Sequence, residues 1–526
     1  MTTRIDANTL KGWLSDGNEI ALLDVREHGR YGEAHLFFAV PLPYSRFELG
    51  LAALVPRTGT RLVLCDEGEG IAERAAGRAA ALGYTSVHAL AGGIGAWQAA
   101  GSTLYAGVNV PSKAFGELVE LARHTPRVTA QQLQAMREAG EDMVIVDGRT
   151  IAEFQKMSIP GGICCPNGEL ALRIGELAPD PSTKIVVNCA GRTRSIIGAQ
   201  TLIDFGVPNP IVALENGTQG WFLAGLKLEN GARRQFDQGT KRDLGPLRTR
   251  ARALAAARSV GFVDAATVEM WLADPERTTY LLDVRTPEEF AKGSAPAAVH
   301  APGGQLVQTT DQWIGTRRAR VVLLDDEGVR APMTAQWLRQ LGHEAYVLEG
   351  GSPAAAGLRV PAGKAAQWAQ PAPITAAEVA ERLRDRSTQV IDLRPSMSYR
   401  KEHIDGAVWS IRPRIATAIA DRPKTAVLIA DLPEIAALAA LDLAEAGCPD
   451  VRQLSGGQAA ARAQGLPMAA SPGNPADADC IDFLFFTAKR HEGDADAARQ
   501  YLTWEVGLVD QLGEAERQSF RIAGAP

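Results

Sequence analysis

The sequence predicts an α/β protein of four tandem domains, each a small parallel sheet flanked by helices, followed by a C-terminal helical segment. Length is the first observation: 526 residues, at about 150 residues per domain, indicate three to four domains. The second observation is a strand ending in Asp-x-Arg that recurs along the chain. The third is that apolar strands alternate with helical stretches within each repeat, which is typical of parallel sheets.

The Asp-x-Arg strand sets the period of the chain. A period above roughly 100 residues indicates a whole domain, because a unit of that size buries its own core. Since the Asp and Arg recur in every copy, we expect them to form structural ion pairs. The strand reads LLDVR, IVDGR, LLDVR and VIDLR, and the spacings of 123, 136 and 109 residues separate Asp24, Asp147, Asp283 and Asp392.

The other elements of each repeat follow in the same order. Each repeat opens with an apolar residue and a helix N-cap, and the expected caps are Asp6, Thr129, Asp264 and Thr375. A second apolar strand follows the Asp-x-Arg strand, and a helix then ends at a glycine. A short strand before a turn completes the unit. The second apolar strands read RLVLCD, KIVVNC, RVVLLD and TAVLIA.

These repeats predict the domain boundaries. Domains 1 to 4 are expected at residues 1–107, 124–230, 258–360 and 370–468, and the C-terminal segment at residues 478–526. The C-terminal segment carries FLFF, Tyr501, Trp504 and Leu508 at mixed helical spacing. This spacing predicts one or two amphipathic helices, which we expect to pack on domain 4.

Composition and charge narrow the classes of function. The chain is 46% hydrophobic and 22% charged, and its net charge of −6 argues against binding to nucleic acid. No apolar run approaches the roughly 18 residues that cross a membrane, and no secretory signal is evident, so we expect a cytoplasmic protein. Six cysteines without Cys-x-x-Cys spacing, and eight histidines without metal-ligand spacing, predict no disulfide framework and no metal site.

The loop Cys189–Ser195 is the strongest candidate for a reactive site. It follows the second apolar strand of domain 2 and opens a helix, where free N–H groups and the helix dipole favour an anion or a thiolate. Gly191 can take a positive φ, Arg192 and Arg194 add two cations, and Ser195 can cap the helix. These features favour a reactive thiolate at Cys189 over an inert buried thiol.

Several motifs together resemble the rhodanese (thiosulfate sulfurtransferase) family. They are the Asp-x-Arg strand, IPGG at Ile159–Gly162, VVNCAGRTRS, and ENGTQGW at Glu215–Trp221. The resemblance is strong in domain 2, clear in domains 1 and 3, and weak in domain 4. It implies that Cys189, at the position of the family's cysteine, takes a sulfane sulfur from a donor and holds it as a persulfide.

The same resemblance implies the roles of the loop residues. Cys189 is the expected catalytic residue, and Ala190, Gly191, Arg192, Thr193, Arg194 and Ser195 are expected to bind substrate. Four residues separate Cys189 from Arg194. Family sulfurtransferases use this short loop, whereas the related phosphatases carry a loop one residue longer. The loop length therefore favours sulfur over phosphate or arsenate as the group transferred.

Alignment of the repeats without gaps predicts that the other three domains are inactive. Cys189 aligns with Asp66 rather than with the neighbouring Cys65, whose side chain is expected to face away from the loop. It aligns with Asp325 in domain 3 and with Ala430 in domain 4. None of these residues can form a persulfide.

The leading hypothesis is therefore a sulfurtransferase that moves sulfane sulfur from a thiosulfate-like anion to cyanide or a thiol through Cys189. No metal or organic cofactor is implied. The alternative is an interaction scaffold, with the inactive domains binding a partner protein, or a thiol redox sensor without thiosulfate turnover. Two details stay open: Glu153 can partner Arg149, and Cys164 or Cys165 can either resolve the persulfide or belong to the core, which is the favoured interpretation.

Overall fold

Four parallel sheets with one shared topology form the molecule. The computed structural model describes residues 3–239, 243–359, 367–384, 388–419 and 425–524. In every domain the principal strands follow the spatial order first, fifth, fourth, second, third, and all of these neighbours are parallel. Helices cover both faces of each sheet, as parallel sheets require. The predicted fold class is confirmed.

Domains 1 and 2 show the repeat most fully. The strands of domain 1 are Thr3–Ile5, Ile20–Asp24, Val40–Pro41, Leu62–Cys65 and Val87–Leu90, and its α-helices are Ala7–Ser15, His28–Glu33, Phe47–Leu54, Ile71–Ala81 and Gly93–Ala99. The strands of domain 2 are Arg127–Val128, Met143–Asp147, Ile163–Cys164, Lys184–Asn188 and Ile211–Leu214, and its α-helices are Ala130–Glu138, Ile151–Lys156, Leu170–Leu177, Thr193–Asp204 and Gly217–Leu223.

Domains 3 and 4 repeat the pattern with short additions. The strands of domain 3 are Gly261–Val263, Thr279–Asp283, Val299–His300, Thr316–Arg317, Arg320–Leu324 and Glu344–Leu348, and its α-helices are Ala265–Leu272, Pro287–Ala291, Gly303–Gln308, Arg330–Gln340 and Gly351–Ala355. The strands of domain 4 are Ala372–Ile374, Thr388–Asp392, His403–Ile404, Val408–Trp409, Thr425–Ile429, Val451–Leu454 and Met468–Ala469, and its α-helices are Ala376–Arg382, Ser396–Lys401, Pro433–Glu445 and Gly457–Ala463, with a 3-10 helix at Arg412–Ile419.

The remaining α-helices lie outside the four sheets. They are Val110–Arg123 and Leu244–Ala257 between domains, and Phe485–Ala488, Ala495–Val506, Leu508–Gln511 and Glu514–Gln518 in the C-terminal segment. We call Val110–Arg123 the linker helix and Ala495–Val506 the C-terminal helix. Among the described residues, no helix is both long and apolar enough to span a bilayer.

The predicted helix caps and ion pairs hold the repeats in shape. Each predicted cap residue accepts the N–H of the residue three positions further on. In each Asp-x-Arg strand the guanidinium binds the carboxylate at 2.6–2.7 Å. It also donates to a carbonyl eight residues beyond the arginine, at Ala34, Met157, Gly293 and Glu402. These pairs are structural, as predicted.

Contacts between domains are extensive. The short strand Thr316–Arg317 of domain 3 pairs antiparallel with Ile20–Asp24 and so extends the sheet of domain 1. Domains 2 and 3 share one hydrophobic core, which contains Ile196 and Ile197 from one domain and Leu338 from the other. A core that crosses a domain boundary makes the two domains one packing unit.

The C-terminal segment departs from the prediction. Its first residues do contact domain 4, since Asp482 accepts the N–H of Ser396. The C-terminal helix instead packs on the linker helix and on Gly217–Leu223 of domain 2, and Leu508 is buried with Tyr105. The expectation that the helices pack on domain 4 is therefore wrong, because their apolar faces match the linker helix rather than domain 4.

Candidate active site

Cys189 directly follows the strand Lys184–Asn188 and lies at the start of the loop that leads into the helix Thr193–Asp204. Its side chain is buried, with 2% of the residue exposed. The hydroxyl of Ser195 donates a hydrogen bond to Sγ of Cys189 at 3.0 Å. The sequence suggested that Ser195 caps the helix. It does not, because its hydroxyl is turned toward the sulfur instead.

The corresponding loops of domains 1 and 3 show which chemical group this loop shape holds. In domain 1 the carboxylate of Asp66 accepts the N–H groups of Gly68, Gly70 and Ala72 at 2.8–3.0 Å. In domain 3 the carboxylate of Asp325 accepts two N–H groups, from Val329 and Arg330, at 3.0–3.1 Å. In both domains the loop amides therefore surround a negatively charged group.

Cys189 occupies the place of these aspartates. Asp66, Cys189, Asp325 and Ala430 each come directly after the fourth principal strand of their domain. The turn glycine packs against the carbonyl of this residue in three domains: a Cβ on Gly93, Gly217 or Gly351 would lie 2.2–2.5 Å from the oxygen of Asp66, Cys189 or Asp325. Only a glycine permits this close approach.

The amides of the Cys189 loop are available to a ligand. By the spacing of 123 residues, Gly191, Thr193 and Ser195 correspond to the amides that bind Asp66. Within the described part of the chain, these three N–H groups donate to no acceptor. The loop of domain 2 thus keeps the shape of an anion site without the carboxylate that fills it in domains 1 and 3.

Arg192 lines the cavity at Cys189 and is paired with carboxylates of the linker helix. Its guanidinium binds Glu117 at 2.7 and 2.8 Å and also binds Glu120, both on the linker helix. Burial raises the pKa of Glu117 to about 7, although Arg192 opposes this shift. Arg192 therefore attaches the loop to the linker helix.

Arg194 is paired as well. Its guanidinium binds Glu153 at 2.7 and 2.9 Å and contacts Gln305 of domain 3 at 3.1 Å. Against the effect of burial, Arg194 lowers the pKa of Glu153 to about 2. Glu153 is thus the partner of Arg194 rather than of Arg149, which binds Asp147.

This second pair also recurs in domain 3, which has an aspartate at the cysteine position. In domain 3, Arg330 binds Glu289 at 2.5 Å, and these residues correspond to Arg194 and Glu153. Because domain 3 lacks the cysteine, the pair belongs to the scaffold of the loop. Arg194 nevertheless interacts electrostatically with Cys189. The guanidinium of Arg194 is therefore held by Glu153 at a distance from which its charge acts on the sulfur.

Gly191 serves close packing rather than a left-handed turn. Its φ angle is not positive, so the expected left-handed conformation is wrong. A Cβ at this position would lie 2.9 Å from Oε2 of Glu505, 3.3 Å from Tyr501 and 3.4 Å from Gln219. The loop and the C-terminal helix approach each other here because residue 191 has no side chain.

A cavity of about 200 Å³ leads to Cys189, and four parts of the chain line it. The loop forms one wall, and the linker helix and the C-terminal segment form two others. Domain 3 completes the enclosure with Gln305, Gln308 and Thr309. The residues of the C-terminal segment that face the cavity are Arg490, His491, Tyr501, Trp504 and Glu505.

Glu505 is the most unusual residue of this cavity. Its side chain is 2% exposed. Its Oε1 accepts from the hydroxyl of Thr193 at 2.8 Å and from Lys113 at 3.3 Å, while its buried Oε2 has no partner among the described residues. Although burial works against it, the charge of Glu505 raises the pKa of Lys113, whose Nζ also binds Tyr501.

Sequence reasoning missed these walls of the cavity. The linker helix lies between the predicted ends of domains 1 and 2, so Lys113, Glu117 and Glu120 belonged to no repeat. The available signal was amphipathic spacing within residues 110–123, where Val110, Ala114 and Phe115 are buried. The charged residues of this helix carry no motif that links them to Cys189.

The other cysteines of domains 1 and 2 lie in the hydrophobic cores. Cys164 and Cys165 are buried, and burial raises the pKa of both thiols, to about 12 for Cys164. Neither lines the Cys189 cavity, which agrees with the core interpretation. Cys65 is buried in the core of domain 1, away from its loop, and burial also raises its pKa.

Comparison with known proteins agrees with this architecture. The model of the rhodanese-like domain matches residues 6–100, 129–224, 264–356 and 375–464. These four segments make up most of the chain. The protein therefore belongs to the rhodanese family and carries four copies of its domain.

Two relatives give this assignment more detail. The crystal structure of a thiosulfate sulfurtransferase from Pseudomonas aeruginosa is similar over 99% of both chains, with a TM-score of 0.90 and 41% sequence identity. A curated relative, the HTH-type transcriptional regulator Rv0324 of Mycobacterium tuberculosis, is 36% identical over 105 residues. The match covers 20% of this chain and 45% of the length of that regulator.

Proposed function

We propose that this protein is a sulfurtransferase that carries sulfane sulfur as a persulfide on Cys189. The donor is a small thiosulfate-like anion, and the acceptor is a nucleophile such as cyanide or a thiol. The similarity to the Pseudomonas aeruginosa thiosulfate sulfurtransferase over the whole chain supports this class of reaction. The sulfur site is in domain 2, and domains 1, 3 and 4 carry no sulfur.

The available amides of the Cys189 loop are the observation that carries this proposal. The corresponding amides of domains 1 and 3 bind the carboxylates of Asp66 and Asp325. A terminal persulfide sulfur is also an anion, and it extends from Cys189 toward the same donors. Replacement of the aspartate by cysteine thus exchanges a fixed negative charge for one that arrives with the transferred sulfur.

The first half-reaction loads the cysteine. The thiolate of Cys189 attacks the outer sulfur of thiosulfate, and a new sulfur–sulfur bond forms at Sγ. The sulfur–sulfur bond of thiosulfate breaks, and sulfite leaves with the bonding electron pair. The Ser195 hydroxyl, 3.0 Å from Sγ, stabilises negative charge on the sulfur by a charge-assisted hydrogen bond.

The second half-reaction discharges the cysteine. The acceptor attacks the outer sulfur of the persulfide, the bond from that sulfur to Sγ breaks, and Cys189 leaves as a thiolate. Cyanide would yield thiocyanate, and a thiolate would yield a new persulfide. The cavity of about 200 Å³ admits a small molecule, and its residues from domain 3 and the C-terminal segment limit the size of the acceptor.

Intact-protein mass spectrometry tests the proposal. Wild type treated with thiosulfate is expected to gain one sulfur atom, and cyanide is expected to remove it. The Cys189→Ser variant should gain none, whereas Cys65→Ser, the matched control in domain 1, should load like wild type. Absence of loading in wild type, with Cys189 still alkylatable, would contradict thiosulfate transfer and favour the scaffold alternative.

A further inference from the structure

A second cavity lies away from Cys189, between domain 1, domain 3 and the C-terminal segment. Its volume is about 1060 Å³, and it shares no lining residue with the Cys189 cavity. Seven arginines and three glutamates line it, a formal charge of +4 in a chain whose net charge is −6. We call it the arginine cavity.

Three arginines of this cavity have no anionic partner in the described part of the chain. Arg317 stacks on the ring of Phe38 at 3.6 Å, and its buried Nε has no hydrogen-bond partner. The guanidinium groups of Arg339 and Arg521 form no hydrogen bond or ion pair with a described residue. Arg317 and Arg339 are half-buried, and an unpartnered cation in such a place is unfavourable, so an anionic ligand removes that cost. Arg521 is exposed and can turn toward a ligand at the rim.

The other four arginines are held in place by the protein. Arg57 binds Glu19 and Arg61 binds Asp16. Arg277 binds Glu344, and Arg318 donates to the carbonyl of Leu14. Because each guanidinium has five donors, a ligand can engage these side chains without breaking the existing bonds.

Burial, and secondly the neighbouring positive charges, lower the pKa values of two groups of this cavity. Burial, with a further effect of Arg318, lowers the pKa of Arg317 to about 10. Burial and the charge of Arg317 lower the pKa of His343, which lines the same cavity, to about 4. His343 is therefore neutral at pH 7.

The walls of the cavity are built from fixed elements. Arg317 lies on the strand that pairs with Ile20–Asp24 of domain 1, and Arg339 lies on the helix Arg330–Gln340. The backbone N–H of Arg521 donates to the carbonyl of Gln340 at 2.7 Å. At the rim, a Cβ on Gly342 would lie 2.2 Å from the carbonyl oxygen of Ser519, so the C-terminal segment is seated closely on domain 3.

We infer that the arginine cavity binds a polyphosphate group, as a nucleoside triphosphate or as an inorganic phosphate chain. Planar guanidinium groups bind phosphate oxygens in pairs, and arginine is the residue best suited to this geometry. The volume and the three unpartnered cations exceed what one thiosulfate or phosphate ion fills. A ligand with several phosphates brings the matching charge in one molecule.

Titration calorimetry on the full chain tests this inference, at an ionic strength of about 0.15 M so that weak surface attraction is screened. The probes are sodium tripolyphosphate, ATP and citrate. The test variant is Arg339→Gln with Arg521→Gln, because neither side chain holds a carboxylate whose pairing would be lost. The matched control is Arg233→Gln with Arg384→Gln, two exposed arginines outside the cavity.

Wild type is expected to bind one tripolyphosphate, and the test variant to bind it at least about tenfold more weakly. The control variant should bind like wild type. Tighter binding of ATP than of tripolyphosphate assigns a nucleotide, and equal binding assigns the phosphate chain itself. Sulfur loading of Cys189 should be unchanged in the test variant, so this result is read independently of the proposed transfer reaction.

Three results would overturn the inference. The first is that neither tripolyphosphate nor ATP binds to wild type. The second is equal affinity in wild type and the test variant. The third is that citrate binds as tightly as tripolyphosphate, because the cavity would then recognise carboxylates instead.

Discussion

At the scale of single residues, one position explains why four similar domains differ. The residue after the fourth principal strand is an aspartate in domains 1 and 3, a cysteine in domain 2 and an alanine in domain 4. Where it is an aspartate, its carboxylate fills the loop. Where it is Cys189, the loop amides stay available to a ligand, and the hydroxyl of Ser195 donates a hydrogen bond to the sulfur.

The first prediction concerns Ser195. Replacement by alanine removes the 3.0 Å hydrogen bond to Sγ. Since hydrogen bonds to charged groups contribute about 1.5–3 kcal/mol, we expect sulfur transfer to slow by about 10- to 150-fold. Steady-state kinetics with thiosulfate and cyanide measure this effect. Ser158→Ala, a buried serine of the same domain, should retain activity, and an unchanged rate in Ser195→Ala would contradict the role of the hydroxyl.

The second prediction concerns the filled loop of domain 1. Asp66→Ala leaves three N–H groups without their carboxylate, so we expect a loss of roughly 2–4 kcal/mol of local stability. Faster hydrogen exchange at Gly68, Gly70 and Ala72 measures it. Cys189→Ala is the matched control, because the corresponding amides of domain 2 have no carboxylate partner that this change could remove. Equal changes in the two variants would argue against the carboxylate as the stabilising group.

At the scale of elements, two helices outside the repeats complete the site. The linker helix binds Arg192 through Glu117, and the C-terminal helix contributes Glu505, which accepts from Thr193. Lys113 of the linker helix joins the two by binding Tyr501 and Glu505. The repeat unit therefore supplies the loop, and the two helices outside the repeats line the approach to the sulfur.

The third prediction tests the contact between the loop and the C-terminal helix. In Gly191→Ala the new Cβ lies 2.9 Å from Oε2 of Glu505, so the buried carboxylate must shift, which weakens the bonds of its Oε1 to Thr193 and Lys113. Overpacking of this kind costs about 1–3 kcal/mol. We expect faster hydrogen exchange in the C-terminal helix and slower sulfur transfer.

The control for this variant is Gly12→Ala. A Cβ on Gly12 meets no atom within 4 Å, and the residue lies in a helix of domain 1. This change should leave exchange in the C-terminal helix and activity as in wild type. If Gly191→Ala behaved in the same way, the close packing of the helix on the loop would be refuted.

At the scale of the whole molecule, charged and apolar contacts join the domains into one body. Domain 3 adds a strand to the sheet of domain 1, and domains 2 and 3 share a core. Domains 1 and 4 meet around Arg412, which is 1% exposed and binds Glu48 and Asp442 at 2.5–2.7 Å. Asp442 also binds Arg78 of domain 1 at 2.6 Å.

The fourth prediction follows from this buried cluster. Arg412→Ala leaves Glu48 and Asp442 buried with less compensation, so the free energy of unfolding should fall by about 3–5 kcal/mol. Urea denaturation of the full chain measures the change. Arg414→Ala is the control, because Arg414 forms an exposed pair with Asp479 at 3.4 Å, and its loss should cost about 0.5 kcal/mol or less. Equal costs would show that burial of the pair is unimportant.

Much of the fold, and the position of Cys189 within the loop, could be predicted from the sequence. Asp-x-Arg strands, helix caps and glycine turns are signals between neighbouring residues, and they recur four times. The side-chain alternation of a strand separates Cys65 from Asp66, because a shift of one residue reverses the face. The same local information aligned Cys189 with the loop position of every domain.

The sequence by itself thus determined the fold class, the four repeats and the place of Cys189 among them. Only the tertiary structure decided that Arg192 and Arg194 are paired, that the C-terminal helix covers the loop and that seven arginines surround one cavity. The physical reason is the range of the interactions. Thr193 and Glu505 are 312 residues apart, and nothing in the local pattern of either residue specifies the packing that brings them together.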